Sequence, residues 1–236
     1  MAPIWDGGGA PDASQLLIAI LFAMGFGLAR LILNSLIYKR LAIRLLHNGC
    51  SPLMVDDSKL SKVDKCSESM WKFTYYASVQ MWVISILCQA PWAMNTKQYF
   101  EGWPNQELGF FRIGTVILAL HDTCDVFLEA AKVFKYSEKE SRASLCFGGF
   151  AISWLLLRLI FFPFWIIKAS SYYSINALVK SGQFPRTLYY IFNTMLLMLL
   201  VFHIYWGKLI FAMITRQLKN QGKVGEDIRS DSEDED

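Results

Sequence analysis

The sequence predicts an all-α, polytopic integral membrane protein, and three observations carry that prediction. Hydrophobic residues make up 54% of the chain and mean hydropathy is +0.30, above the norm for soluble domains. Apolar runs of about 20 residues, the length that crosses a hydrocarbon core, recur along the chain. Lysine and arginine collect in some of the segments between those runs and are sparse in others, which is the signature of a fixed orientation in a bilayer. A net charge of +3 is too small to suggest a nucleic-acid partner, and no zinc-finger, RNA-binding or phosphate-loop spacing occurs.

The runs predict about five transmembrane helices, at 15–37, 73–94, 110–134, 145–167 and 188–214. The first, Gln15 to Ile37, is too long for a cleaved leader, and the segment before it carries Asp6 and Asp12 and no basic cluster, so residues 1–14 read as a lumenal tail. Lys39, Arg40, Arg44, Lys59, Lys62, Lys65 and Lys72 put the next connection in the cytosol; the connection from Asn95 to Gly109 has Lys97 against Glu101 and Glu107. Counting onward places Lys135, Lys139 and Arg142 in the cytosol, 168–186 in the lumen and the tail 215–236 in the cytosol. That tail ends in an acidic, disordered stretch in which Ser230 and Ser232 are candidate phosphorylation sites. Cys50, Cys66, Cys88, Cys124 and Cys146 are odd in number and scattered, which argues for free thiols rather than a disulfide framework or a zinc site.

The third run is the unusual one. At 100° per residue, His121, Asp122, Asp125, Glu129 and Lys132 fall within an arc of about 100°, while Ile117, Leu120, Val126, Phe127 and Leu128 lie outside it. A single charge at the bilayer centre costs about 2.5–3.5 kcal/mol or more, so these groups face a cavity, a partner or one another. Two readings stay open: a functional cavity, or structural pairing in which Arg158, central in the fourth run, neutralises a carboxylate. His203 reads as a helix-packing or hydrogen-bonding residue of the last run rather than a ligand. With three histidines in all, no H-E-x-x-H spacing and no second histidine-bearing helix evident beside the stripe, a metal site is not expected; nor is a serine hydrolase without G-x-S-x-G. A proton relay of a transporter is a further reading of the same stripe.

The stretch "FFRIGTVILALHDTCDVFLEAAKVFKY" resembles the second half of the Lag motif of the ceramide synthases, members of the TLC-domain family. "YFEGWPNQEL", "FAISWLLLRLIFFPFWIIKASSY", "YYIFNTMLLMLLVFHIYW" and "GKVGEDIRSDSEDED" also resemble that family, most closely its plant branch. The resemblance implies a TLC-type helical bundle over 15–214 in the endoplasmic reticulum membrane. Its implied activity is transfer of a fatty acyl group from acyl-CoA to the amino group of a sphingoid base, with acyl-CoA as co-substrate and no cofactor. Implied partners are the two substrates, membrane lipids, and a homo- or hetero-dimer with a ceramide synthase. His121 and Asp122 match the motif's His-Asp step and Asp125 its second aspartate. Arg112, Glu129, Lys132 and Arg158 are candidates for the substrate cavity or its ion pairs.

The same resemblance exposes a departure. The family site uses two adjacent histidines one helix upstream, and this sequence has no His-His. In the family, Gly-Trp-Pro-Asn-Gln is followed by another membrane helix, a basic loop and the helix bearing that pair. Here Leu108 and Gly109 run straight into Phe110, Phe111 and Arg112. The expectation is a bundle missing two helices, on the order of 50 residues at membrane-spanning length. Loss of two spans preserves topological parity but removes acid–base groups, so the chain is expected to be impaired, as a spliced isoform that associates with an intact synthase would be.

Overall fold

The structure, a computed structural model, describes residues 13–46, 57–100, 108–175 and 186–219. Cys50, Ser230, Ser232, the leader 1–12 and the acidic tail lie outside the described residues. Those described form helices and short turns, with no strand among them. The chain divides into two compact units, Met1–Trp71 and Lys72–Asp236.

In the first unit, α1 (Ala13–Leu33) passes through one π-helical turn, Asn34–Tyr38, into α2 (Lys39–Leu46). α3 (Asp57–Gln89) begins well before the predicted apolar run. The reason is a second pattern: Val63, Cys66, Ser67 and Met70, spaced i, i+3, i+4, i+7, are all buried. Lys39 Nζ lies 2.8 Å from Asp64 Oδ1, Arg30 Nη2 lies 3.8 Å from Glu68 Oε1, and Trp71 packs on Phe26 and Tyr38. α3 ends at Gln89, short of the predicted Met94, because Pro91 disfavours helix in the residue before it. Backbone bonds Ala93 N–H to Ala90 O and Asn95 N–H to Trp92 O make turns there instead, followed by a 3-10 turn over Thr96–Phe100.

The second unit holds the histidine-bearing helix α4 (Leu108–Tyr136), then α5 (Glu140–Ser153), which continues as two π-helical stretches, π2 (Trp154–Ile167) and π3 (Ala169–Tyr173), and finally α6 (Arg186–Lys219). α4 reverses into α5 through Ser137–Lys139. Glu138 takes φ 57°, and the amides of Glu138 and Lys139 donate to the carbonyls of Lys135 and Phe134, a Schellman closure without its usual glycine. α5 therefore runs back along α4, and Gln217 Nε2 donates to Ser144 Oγ, so the C-terminal ends of α4 and α6 share one end of the unit.

The π-helical register has a visible cause in the sequence. Trp154, Arg158, Phe162 and Ile166 repeat every four residues, and all four are buried. In an α-helix such a row drifts about 40° per step at 100° per residue. The wider π-turn holds it on one face. Pro163, which has no N–H to give, sits inside the same stretch.

Among the described residues, three helical stretches are long and apolar enough to cross a membrane: Leu16–Leu46, Glu140–Tyr173 and Tyr189–Lys219. The all-α membrane class stands on these. A count of five adds α3 and α4, of 33 and 29 residues, whose tyrosines, glutamines and charges dilute their apolar runs.

Candidate active site

α4 carries its polar residues in two rows rather than one. Taking His121 as zero, Asp125 and Lys132 lie about 40° and 20° round the helix, whereas Asp122 and Glu129 lie about 100° and 80° round. The structure separates them accordingly. His121, Asp125, Lys132 and Lys135 line a cavity of about 770 Å³, whose other walls come from α5, π2 and α6. Asp122 and Glu129, each 4% exposed, do not line it; Glu129 Oε1 accepts from Lys132 Nζ at 3.0 Å, and Asp122 Oδ2 has no hydrogen-bond partner among the described residues. Arg112 is also outside the cavity: Nη1 donates to Gln98 O at 2.8 Å and the guanidinium lies 5.7 Å from the centre of the Trp92 ring, fixing the 3-10 turn to the start of α4.

The cavity is closed at its polar end by residues from three elements. Arg158 Nη2 donates to Asp125 Oδ1 at 3.2 Å and to His121 O at 3.0 Å, and its guanidinium lies 4.1 Å from the centre of the Trp154 ring. Below it, Phe162, fully buried, presents its ring at right angles to His203. Phe162, Ile166, Ile113, Val116, Leu120 and Leu196 form the core that fills the N-terminal half of the bundle. The cavity occupies the other half.

His203, read from the sequence as a helix-packing or hydrogen-bonding residue, has a partner that the sequence did not point to, the stripe itself. Instead of a packing role alone, α6 brings its Nε2 to 2.9 Å from His121 Nε2, across 82 residues of sequence. The stripe therefore does have a second histidine-bearing helix beside it. A signal was present: Leu196, His203 and Ile210, seven apart, are the buried residues of α6 and mark its inward seam. What periodicity does not say is which helix the seam meets.

Donor and acceptor chemistry fixes the protons of this pair when both rings are neutral. His121 Nδ1 is 2.7 Å from the carbonyl of Ile117, which only accepts, so Nδ1 carries the hydrogen. His121 Nε2 is then the acceptor and His203 Nε2 the donor. His203 Nδ1 is then left as a lone pair, buried and without a well-formed hydrogen bond among the described residues, with the Arg158 backbone close to the ring. The backbone of His203 is held by Trp154, whose Nε1–H donates to its carbonyl at 3.3 Å. No group of three or more His, Cys, Asp or Glu able to hold a metal ion occurs among the described residues.

A family profile described as the TLC domain matches residues 108–212, the part of the chain that contains the histidine pair and the Asp125–Arg158 ion pair. ASC1-like protein 3 of Oryza sativa subsp. japonica is 51% identical over 278 aligned positions, which take in 95% of this chain and 98% of that protein. The chain belongs to the TLC-domain family. Its relatives within that family include Ceramide synthase LOH2 of Arabidopsis thaliana, 47% identical with 93% of this chain and 92% of that protein covered. Ceramide synthase 1 LOH3 of the same plant is 34% identical, with coverages of 98% and 95%. As a TLC-domain protein whose relatives include ceramide synthases, the chain carries His121, Asp122, Asp125, Arg158 and His203 inside the matched region.

Proposed function

We propose that this chain carries part of an N-acyltransferase site that joins the acyl group of acyl-CoA to a sphingoid base, in the endoplasmic reticulum membrane, and that its turnover is strongly impaired. In the reaction the amine nitrogen attacks the thioester carbonyl, the C–N bond forms, the C–S bond breaks, and the amine proton ends on the departing sulfur. A base within hydrogen-bond reach of the amine has to carry that proton. The apolar-walled cavity suits a fatty chain, and Asp125, which lines it, suits an ammonium.

The observation that carries the impairment is the histidine pair. His121 and His203 spend their facing nitrogens on each other, and the remaining lone pair, His203 Nδ1, is buried. No imidazole lone pair is left open to the cavity. The length of the rice alignment supports the same reading: 95% of 236 residues is about 224, so about 54 of the 278 aligned positions have no residue here. That deficit is the size of two helices with their loops.

Expression in a membrane without endogenous ceramide synthase tests the proposal. The chain alone is expected to leave ceramide from sphinganine and acyl-CoA about 10²–10⁴-fold below the level given by Arabidopsis Ceramide synthase LOH2, the usual worth of acid–base catalysis. Product approaching the relative's level, and abolished by Asp125→Ala, would overturn it.

A further inference from the structure

The end of the cavity away from the histidines has its own chemistry. Lys132 and Lys135, from the last turns of α4, and Arg216, from the last turn of α6, line it there. His121 to Lys135 is fourteen residues and His203 to Arg216 thirteen, so along each helix the cations stand about 20 Å from the histidine pair at 1.5 Å per residue. Between the two ends the wall is apolar: Leu128, Phe147, Phe150, Trp206, Ile210 and Met213. Asp125 is the one carboxylate in the lining, and it is tied to Arg158 at the opposite end. Glu129, paired with Lys132, offsets part of the positive charge.

Cations in the last turn of a helix also complement its dipole and reach for the interface, which accounts for one on each helix. It does not account for two helices in parallel bringing cations to the rim of one cavity whose far end is polar and whose walls are not. The occupant that matches is an amphiphile with phosphates at one end, an apolar middle and a polar reacting group.

We infer that Lys132, Lys135 and Arg216 form a phosphate site at the cavity mouth that anchors the phosphate groups of acyl-CoA. The inference rests on the acyltransferase reading for its choice of ligand, yet it concerns binding, which is measured without turnover. Lipid phosphate shares the same chemistry, and the test separates the two sources.

The full chain in phosphatidylcholine nanodiscs is titrated with coenzyme A and with palmitoyl-CoA. Arg216→Glu is expected to weaken both by about tenfold or more, the loss of one charge-assisted contact. Arg216→Lys should retain most of the affinity and excludes a folding defect as the cause, and Lys219→Glu, a neighbouring cation outside the lining, should leave affinity within about twofold. No binding by the unaltered chain, or equal losses at Arg216 and Lys219, would overturn the inference. Loss of coenzyme A binding when phosphatidylserine is added, with binding of that lipid dependent on Arg216, assigns the site to lipid and overturns the substrate anchor. Arg216-dependent binding in a chain that proves fully active would overturn the impairment reading and leave this one standing.

Discussion

Arg158→Leu is expected to cost about 3 kcal/mol of stability, the low end for breaking a buried ion pair, because Asp125 also faces the cavity and keeps some access to water. Arg158 is 9% exposed at its side chain and Asp125 27%. Removing the guanidinium leaves a carboxylate in the interior, frees the carbonyl of His121 and uncovers the Trp154 ring at once. The double variant Asp125→Leu with Arg158→Leu removes the stranded charge and is expected to recover about half of the loss, the rest belonging to the Trp154 contact and the carbonyl bond. Thermal unfolding in one detergent, read on the two single variants and the double, measures both terms. Equal losses in the Arg158 and double variants would show that charge pairing is not what Arg158 supplies.

His203→Leu is the second large effect. It removes the only donor to His121 Nε2 among the described residues, and an unsatisfied buried acceptor costs about 1–3 kcal/mol. His203→Gln keeps an N–H donor at similar reach and is expected to restore about half of that loss or more, which a purely steric role for His203 would not give. The chain has three histidines, so ¹⁵N spectra of the labelled rings resolve the pair directly. His121 should carry its hydrogen on Nδ1 and His203 on Nε2 near neutral pH; the reverse assignment would contradict the hydrogen-bond logic of the site.

The sequence made one part of the site readable and hid another, for physical reasons. The polar stripe of α4 is legible because charge in an apolar run has few explanations, and Arg158 stands out in π2 for the same reason. The amphipathic start of α3 is legible in Val63, Cys66, Ser67 and Met70, although the hydropathy of the run after it draws the boundary too late. Splitting of the stripe into a His121–Asp125–Lys132 row and an Asp122–Glu129 row was present in the helical angles, but an arc of about 100° conceals that two different neighbours divide it. The turn at Glu138 has no glycine to announce it. The meeting of His121 with His203 depends on how α4 and α6 lie beside each other, which no local period encodes. In sequence terms a lone histidine on an apolar helix is a packing residue until its partner is known.

Filling the proposed deficit tests the central claim most directly. The residues of Arabidopsis Ceramide synthase LOH2 that have no counterpart in this chain are inserted at the proposed place, between Leu108 and Gly109, and ceramide formation is measured beside the unaltered chain in a membrane without endogenous synthase. A rise of about a hundredfold or more is predicted, since on the proposed reading the insertion supplies the acid–base groups that the His121–His203 pair does not offer to the cavity. A folded insertion variant no more active than the unaltered chain, or an unaltered chain already as active as Ceramide synthase LOH2, would contradict it.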